Sequence, residues 1–157
     1  AVNPHVQVAA LQQRADAALL EQLVPQADVV LDCSDNFLTR QAVNAACVRH
    51  HKPLVSGAAI RFDGQISVYD SRDGDSPCYA CVFPPDADVE ETRCATMGVF
   101  APLVGIIGTL QAAEALKLLC GVGTSLAGRL LMLDGRAMEW TEVRLPRHAG
   151  CPVCGTR

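Results

Sequence analysis

Apolar residues fall into short runs at first and into one long run later. Asp28-Val29-Val30-Leu31-Asp32 is a brief apolar segment of the kind buried parallel strands show, and Pro53 to Ala58 is a second. Between them, Ser34-Asp35-Asn36 supplies helix-starting side chains, and Phe37 to His50 sets Leu38, Ala42, Ala45 and Ala46 at helical spacing. Strand, helix, strand in that order predicts a right-handed parallel crossover and a Rossmann-like sheet. Upstream, Val6 to Ala9 reads as a short strand. Asp16 to Leu23 reads as a helix with Asp near its start and Pro25 past its end. Downstream the period changes. Gln65 to Tyr69 alternates as a strand after a turn at Asp63-Gly64, and Arg129 to Leu133 with Glu139 to Leu145 reads as an antiparallel pair turning at Asp134-Gly135. Pro102 to Leu119 predicts a long helix, apolar nearly all round, stopped by Gly121 and Gly123. Such a helix is buried under a sheet or at a subunit interface. Ser71 to Pro77 is polar loop and Pro84 to Thr92 an acidic, Pro-containing one; no repeat or long linker divides the chain, so residues 1–157 read as a single domain.

Composition narrows the function classes. A chain of 157 residues can bury one sizeable core. Its formal net charge of -4 gives no electrostatic reason to bind nucleic acid or an anionic membrane. The most apolar stretch, Val99 to Leu110, is interrupted by Pro102, Gly105 and Gly108 and is too short to span a bilayer. Eight cysteines without a signal-peptide pattern suit a reducing cytoplasm, and metal rather than disulfides.

Four of those cysteines form two C-x-x-C pairs, Cys78-Tyr79-Ala80-Cys81 and Cys151-Pro152-Val153-Cys154. Each spacing lets two thiolates turn toward one ion, and four sulfurs complete a tetrahedral zinc shell with bonds of about 2.3 Å, a closed and structural site. The pairs are far apart in sequence, so zinc would staple the chain's end to a loop deep inside a larger fold. One C-x-x-C alone would equally fit a redox motif, and buried free thiols are the plainer alternative. Cys33, Cys47 and Cys120 lie in apolar runs and read as packing. His50, His51 and His148 have no ligand spacing and read as solvated surface, and Trp140 as a core or interface anchor.

Three segments carry a family resemblance. Leu31-Asp32-Cys33-Ser34-Asp35-Asn36, with Arg40 and Asn44, resembles a motif of the ThiF/MoeB/HesA family, relatives of the adenylation domains of ubiquitin-activating enzymes. Ser56-Gly57-Ala58-Ala59-Ile60-Arg61-Phe62-Asp63-Gly64-Gln65-Ile66 resembles a second. Gly98 to Ala112, continued through Glu114 and Lys117, resembles a third. The resemblance runs along essentially the whole chain, falls nearest the MoeB type, and places both cysteine pairs where the family has its zinc ligands. It implies ATP-dependent adenylation of the C-terminal Gly-Gly carboxylate of a small ubiquitin-like sulfur carrier, MoaD-like or ThiS-like, in molybdopterin or thiamine biosynthesis. It also implies a cytoplasmic homodimer, with Asp35 and Asn36 at the nucleotide.

Attack of a carboxylate on an α-phosphate sets anion against anion, so metal and basic groups must cover the phosphates. Asp35, just past a strand and at a helix start, suits a Mg²⁺-positioning role, the bland reading being a helix N-cap. Arg61 would meet the carrier tail, a phosphate, or an ordinary surface partner; Arg40 and Asn44, one turn apart, would order the site. Cys94 occupies a position where some relatives place a cysteine that bonds covalently to the carrier, and Arg93 beside it would favour the thiolate; an unused cysteine is the alternative. The family's Gly-rich nucleotide loop has no counterpart before Asp35, and the first glycine is Gly57. The expected fold is therefore a partial α/β domain: a mostly parallel Rossmann-like sheet lacking its nucleotide-loop half, an antiparallel C-terminal extension and a four-cysteine zinc site. The expectation is that these residues alone do not adenylate. Two alternatives stand beside this reading: an enzyme that adenylates another C-terminal carboxylate, and a non-catalytic zinc-stapled dimerisation or carrier-docking module.

Overall fold

The computed structural model describes residues 3–86 and 97–155. Cys94, with the covalent role considered for it, and most of the acidic loop lie outside them.

Helix α1 (Ala17–Leu23) begins where Asp16 accepts the Leu19 amide, and a 3-10 turn (Val24–Gln26) built around Pro25 ends it. Strand β1 (Val30–Asp32) follows, then α2 (Phe37–Arg49), whose N-cap is Asn36. Strands β2 (Pro53–Ile60) and β3 (Asp63–Asp70) form a hairpin. The short helix α3 (Tyr79–Val82) comes next. Helix α4 (Ala101–Cys120) has Pro102 in its first turn and left-handed Gly121, at φ 63°, as its C-cap. Strands β4 (Arg129–Asp134) and β5 (Glu139–Arg144) close the order.

The five strands lie in sequence order. β1 and β2 are parallel, joined by the α2 crossover, and the remaining three pairings are antiparallel. The Rossmann-like beginning and antiparallel extension match the expectation, with the antiparallel part the larger among the described residues. Alternate residues of β2 and β3 serve opposite faces, as the two-residue period of a strand requires. Leu54 and Tyr69 pack with Leu20, Val43, Ala46 and Cys47 of α1 and α2. Val55, Ile66 and Val68 pack with Ala115 of α4 and with Leu126. The sheet is thus the middle of three layers.

Helix α4 buries Leu103, Ile107, Gln111, Glu114 and Ala115, one stripe at four- and three-residue spacing, and exposes Leu116 and Leu119 on its other side. Its length and composition alone would let it cross a membrane, against the expectation drawn from Val99 to Leu110. Its place in this fold is set by the stripe against β2 and β3, which includes a buried Gln and Glu. Glu114 Oε2 accepts the Leu126 amide at 2.8 Å, and Lys117 pairs with its other oxygen.

Three local expectations change. Residues Val6 to Ala9 form no strand; Val6 and Val8 are exposed. The β2–β3 turn is Arg61-Phe62, two residues before the expected Asp63-Gly64. Gly64 sits within β3 instead, because a Cβ there would come within 2.9 Å of Ile107 on α4: the glycine serves helix-to-sheet packing, not the turn. Arg61, at φ 50°, is held by Gly98 and Phe100, its amide donating to Gly98 O at 2.9 Å and its carbonyl accepting the Phe100 amide at 2.7 Å. Trp140 is 42% exposed on β5 and anchors no core.

Gly57 is the tightest approach of α4 to the sheet, since a Cβ there would fall 2.4 Å from the Gln111 side chain. Gly57→Ala is expected to cost about 1–3 kcal/mol through overpacking, or a melting temperature lower by several degrees at about 2–4 °C per kcal/mol. Unchanged thermal denaturation would show that Gln111 is not held against β2.

Candidate functional site

The parallel ladder ends at the Asp32–Ser56 pair, where β1 gives way to the loop that opens α2 while β2 runs on. Divergence of neighbouring strands at their C-terminal ends leaves a crevice, the usual ligand position of an open α/β sheet. Here it is a cavity of about 560 Å³. Cys33 to Phe37 and Arg40 line one side, Gly57 to Ile60 the floor, Val104, Ile107, Gly108 and Gln111 the α4 side, and Tyr79 and Phe83 the wall below.

Three buried side chains, Arg40, Asp32 and Gln111, tie the strand ends together. Arg40 reaches from α2, its Nη2 donating to Ser34 O and to Gly57 O at 3.0 Å and its Nη1 donating to Ser56 Oγ at 3.3 Å. Asp32 Oδ2, buried and without a hydrogen bond, lies 3.9 Å from Arg40 Nη1, so their attraction is coulombic. Asp32 Oδ1 accepts from Ser34 N and Oγ at 2.9 and 2.7 Å. From the opposite layer, Gln111 Nε2 donates to Asp32 O at 2.9 Å and Val55 O at 3.3 Å, and its Oε1 accepts from the Cys33 thiol at 3.5 Å. Asn36 uses its Oδ1 to cap α2 on the Thr39 amide. Asp35 is exposed at the cavity mouth. The N-terminus of α2 opens on the same space, where the helix dipole favours an anion.

The two cysteine pairs meet below this cavity. The Sγ atoms of Cys78, Cys81, Cys151 and Cys154 all lie within 4.8 Å of one another. Cys78–Cys151 is 3.7 Å, Cys78–Cys81 3.9 Å and Cys81–Cys154 3.4 Å. A disulfide needs about 2.05 Å, whereas a tetrahedron with about 2.3 Å metal–sulfur bonds has edges of about 3.8 Å. The four sulfurs therefore fit one metal ion. Burial holds the Cys78 thiol above its usual range, against the Asn44 amide that acts the other way, and burial raises Cys81 as well. Four neutral thiols packed together gain little, and a divalent cation reverses that preference by taking the thiolates. The second shell contains donors suited to thiolates: Asn44 Nδ2 lies 3.7 Å from Cys78 Sγ and the His148 amide 3.5 Å from Cys81 Sγ.

The remaining sequence candidates separate. Arg40 belongs to the cavity, while Asn44, one turn on, belongs to the sulfur cluster. Arg61 sits exposed with its Nη2 toward Met97 Sδ at 3.4 Å. His50 faces Glu21 at 2.8 Å and His51 faces Ser71 O at 3.2 Å, both away from the cluster. Cys47 is core, as expected, but Cys33 and Cys120 are exposed. Tyr79 and Phe83 as cavity wall, and Gln111 as a clamp, have no independent signal in the sequence. Tyr79 is at most hinted at by its place beside a ligand cysteine.

The thiols differ enough to be told apart chemically. Burial, and secondarily the Asp32 charge, push the Cys47 thiol up to about 12, so at pH 8 it carries almost no thiolate. Alkylation of the folded chain followed by peptide mass mapping is expected to modify Cys33 and Cys120 and to reach Cys47 only after unfolding. Equal labelling of Cys47 and Cys120 would contradict the packing of α2 on β2.

Residues 1–153 match the ThiF family. The chain is 47% identical over 154 residues to the sulfur carrier protein ThiS adenylyltransferase of Escherichia coli (strain K12), covering 98% of this chain and 60% of that protein. It is 44% identical over 154 residues to the molybdopterin-synthase adenylyltransferase of the same organism, covering 98% and 61%. The chain thus spans about 60% of the length of these curated relatives, and two identities so near each other do not choose between them. The crystal structure of E. coli MccB aligns with a TM-score of 0.74 at 21% identity, over 95% of this chain and 44% of that one, a likeness of fold. The chain belongs to the ThiF family.

Proposed function

We propose that this chain forms the larger part of an ATP-dependent adenylyltransferase acting on the C-terminal carboxylate of a ubiquitin-like sulfur carrier. The observation that carries the reading is the convergence of Asp35, Asn36, the α2 N-terminus and the Arg40-held loop on one cavity at the strand ends. The two curated relatives named for ThiS and molybdopterin-synthase adenylylation support the reaction class.

In the proposed reaction a carboxylate oxygen of the carrier attacks the α-phosphorus of ATP, and pyrophosphate leaves with the electron pair of the broken bond. The product is a mixed anhydride open to sulfur attack. Both reactants are anions, so the site must lower their repulsion before it aligns them. The α2 N-terminus contributes a positive partial charge, and the Arg40 guanidinium, its own charge offset by Asp32, holds the Ser34–Asp35 loop in place for it. Mg²⁺, when bound, offsets phosphate charge, and Asp35 is the residue proposed to hold it, an exposed carboxylate with room for an oxygen-ligated ion. The apolar α4 side, with Val104 and Ile107, excludes water from the anhydride. Zinc is the metal proposed for the four cysteines, with a structural role. The exposed Leu116 and Leu119 face of α4 is the surface proposed for homodimerisation. No step requires Cys94.

Carrier-dependent ATP–pyrophosphate exchange tests the reading. It would be measured for these residues and for the same residues joined to the part of the ThiS adenylyltransferase that they do not match. Asp35→Asn in the joined protein is expected to lower exchange by about 100-fold or more with thermal stability unchanged. Full exchange by the Asp35→Asn protein, or none by the unsubstituted one with ThiS-like and MoaD-like carriers, would refute the assignment.

A further inference from the structure

We infer that the metal centre positions one wall of the cavity, with Asn44 as the joint between the two. In the segment Cys78 to Phe83, metal-fitting cysteines and cavity residues are interleaved. Cys78 and Cys81 point their sulfurs into the cluster, while Tyr79 and Phe83 line the cavity. Helix α3 within it is four residues long, too short to hold its own shape. Its placement depends on outside contacts. Asn44, 1% exposed, supplies two at once: its Oδ1 accepts the Tyr79 amide at 2.9 Å, and its Nδ2 faces Cys78 Sγ at 3.7 Å. Gln41, on the same helix, donates to Phe83 O at 2.6 Å. Tyr79 then packs on Phe83 with ring centroids 4.7 Å apart and edge-on against Tyr69 at 5.8 Å.

Helix α2 therefore touches the cavity at its N-terminus, through Asn36 and Arg40, and the sulfur cluster one turn later, through Asn44. Metal capture fixes Cys78 and Cys81 and with them Tyr79 and Phe83. Asn44 is a positioning residue whose amide favours the thiolate on one side and sets the wall's backbone on the other. Linkage is reciprocal: an occupant that needs the wall in place must slow metal loss by the factor through which metal tightens its binding. That the occupant is a nucleotide rests on the function proposed above; the coupling of metal to wall does not.

The chain contains two tyrosines, Tyr69 and Tyr79, so 3-fluorotyrosine labelling gives two ¹⁹F resonances, assigned with Tyr69→Phe. Zinc addition to the metal-free chain is expected to move the Tyr79 resonance, and to move that of Tyr69, its ring neighbour, by less. Asn44→Asp keeps the acceptor for the Tyr79 amide but sets a carboxylate against Cys78. It is expected to need about 10–100 times more free zinc for the same shift. MgATP is expected to slow zinc removal by a chelator from the joined protein of the exchange test. A Tyr79 resonance that ignores zinc in a folded chain overturns the inference. A Tyr79 resonance that follows zinc while MgATP changes nothing supports the coupling and counts against the nucleotide reading. Should the metal-free chain unfold, zinc-saturated Asn44→Ser decides: a displaced Tyr79 resonance supports the joint, and an unmoved one overturns it.

Discussion

The Arg40 guanidinium, buried between α2 and the end of the parallel ladder, fixes the shape of the crevice at the strand ends. It spans the gap that opens when β1 stops and β2 continues, joining Ser34 O on one side to Gly57 O and Ser56 Oγ on the other. A buried acceptor left without a partner costs about 1–3 kcal/mol. Arg is suited to the task because its planar fork serves several acceptors at once, which a lysine cannot. Its charge is balanced by Asp32, which in turn orders Ser34 and the loop leading to Asp35. Gln111 performs the matching service from α4, so the same strand ends are gripped from both outer layers of the fold.

This arrangement explains which small residues the chain requires. Gly57 and Gly64 lie on strands and not in turns because α4 presses its Gln111, Leu103 and Ile107 side chains into the sheet there. Below the cavity the cysteine cluster plays a comparable part for a segment with little structure of its own. It ties the C-terminal loop, which carries Cys151 and Cys154, to the Cys78–Phe83 segment that walls the cavity. The two sets of chemistry-bearing residues share α2, Arg40 facing one and Asn44 the other.

Much of this is legible from the residues. The strand–helix–strand opening shows in its apolar periods, the long helix in its composition and its Gly121 stop, and the metal-fitting cluster in two identical spacings. The Asp35-Asn36 pair is marked by helix-start chemistry directly after an apolar run. What stays hidden depends on distance in space. Gly64 beside Asp63 satisfies every rule for a turn, and only the approach of α4 shows its use. Arg40 and Asn44 share a helix face, yet sequence spacing cannot say that one meets carbonyls and the other a sulfur. Cys33 follows an apolar run but falls at the strand's open end, where a side chain faces the cavity instead of the core. Gln111 looks like a polar interruption in an apolar helix until its two carbonyl partners, on β1 and β2, are in view.

The central claim is that the crevice between the ends of β1 and β2 is the nucleotide site. Amide hydrogen–deuterium exchange of the joined protein with and without MgATP, read by mass spectrometry, tests it most directly. The account predicts slowed exchange in peptides covering residues 33–40, 57–60 and 104–111, with β5 unchanged. Protection confined to other segments, or a nucleotide that binds without slowing these three, would contradict it.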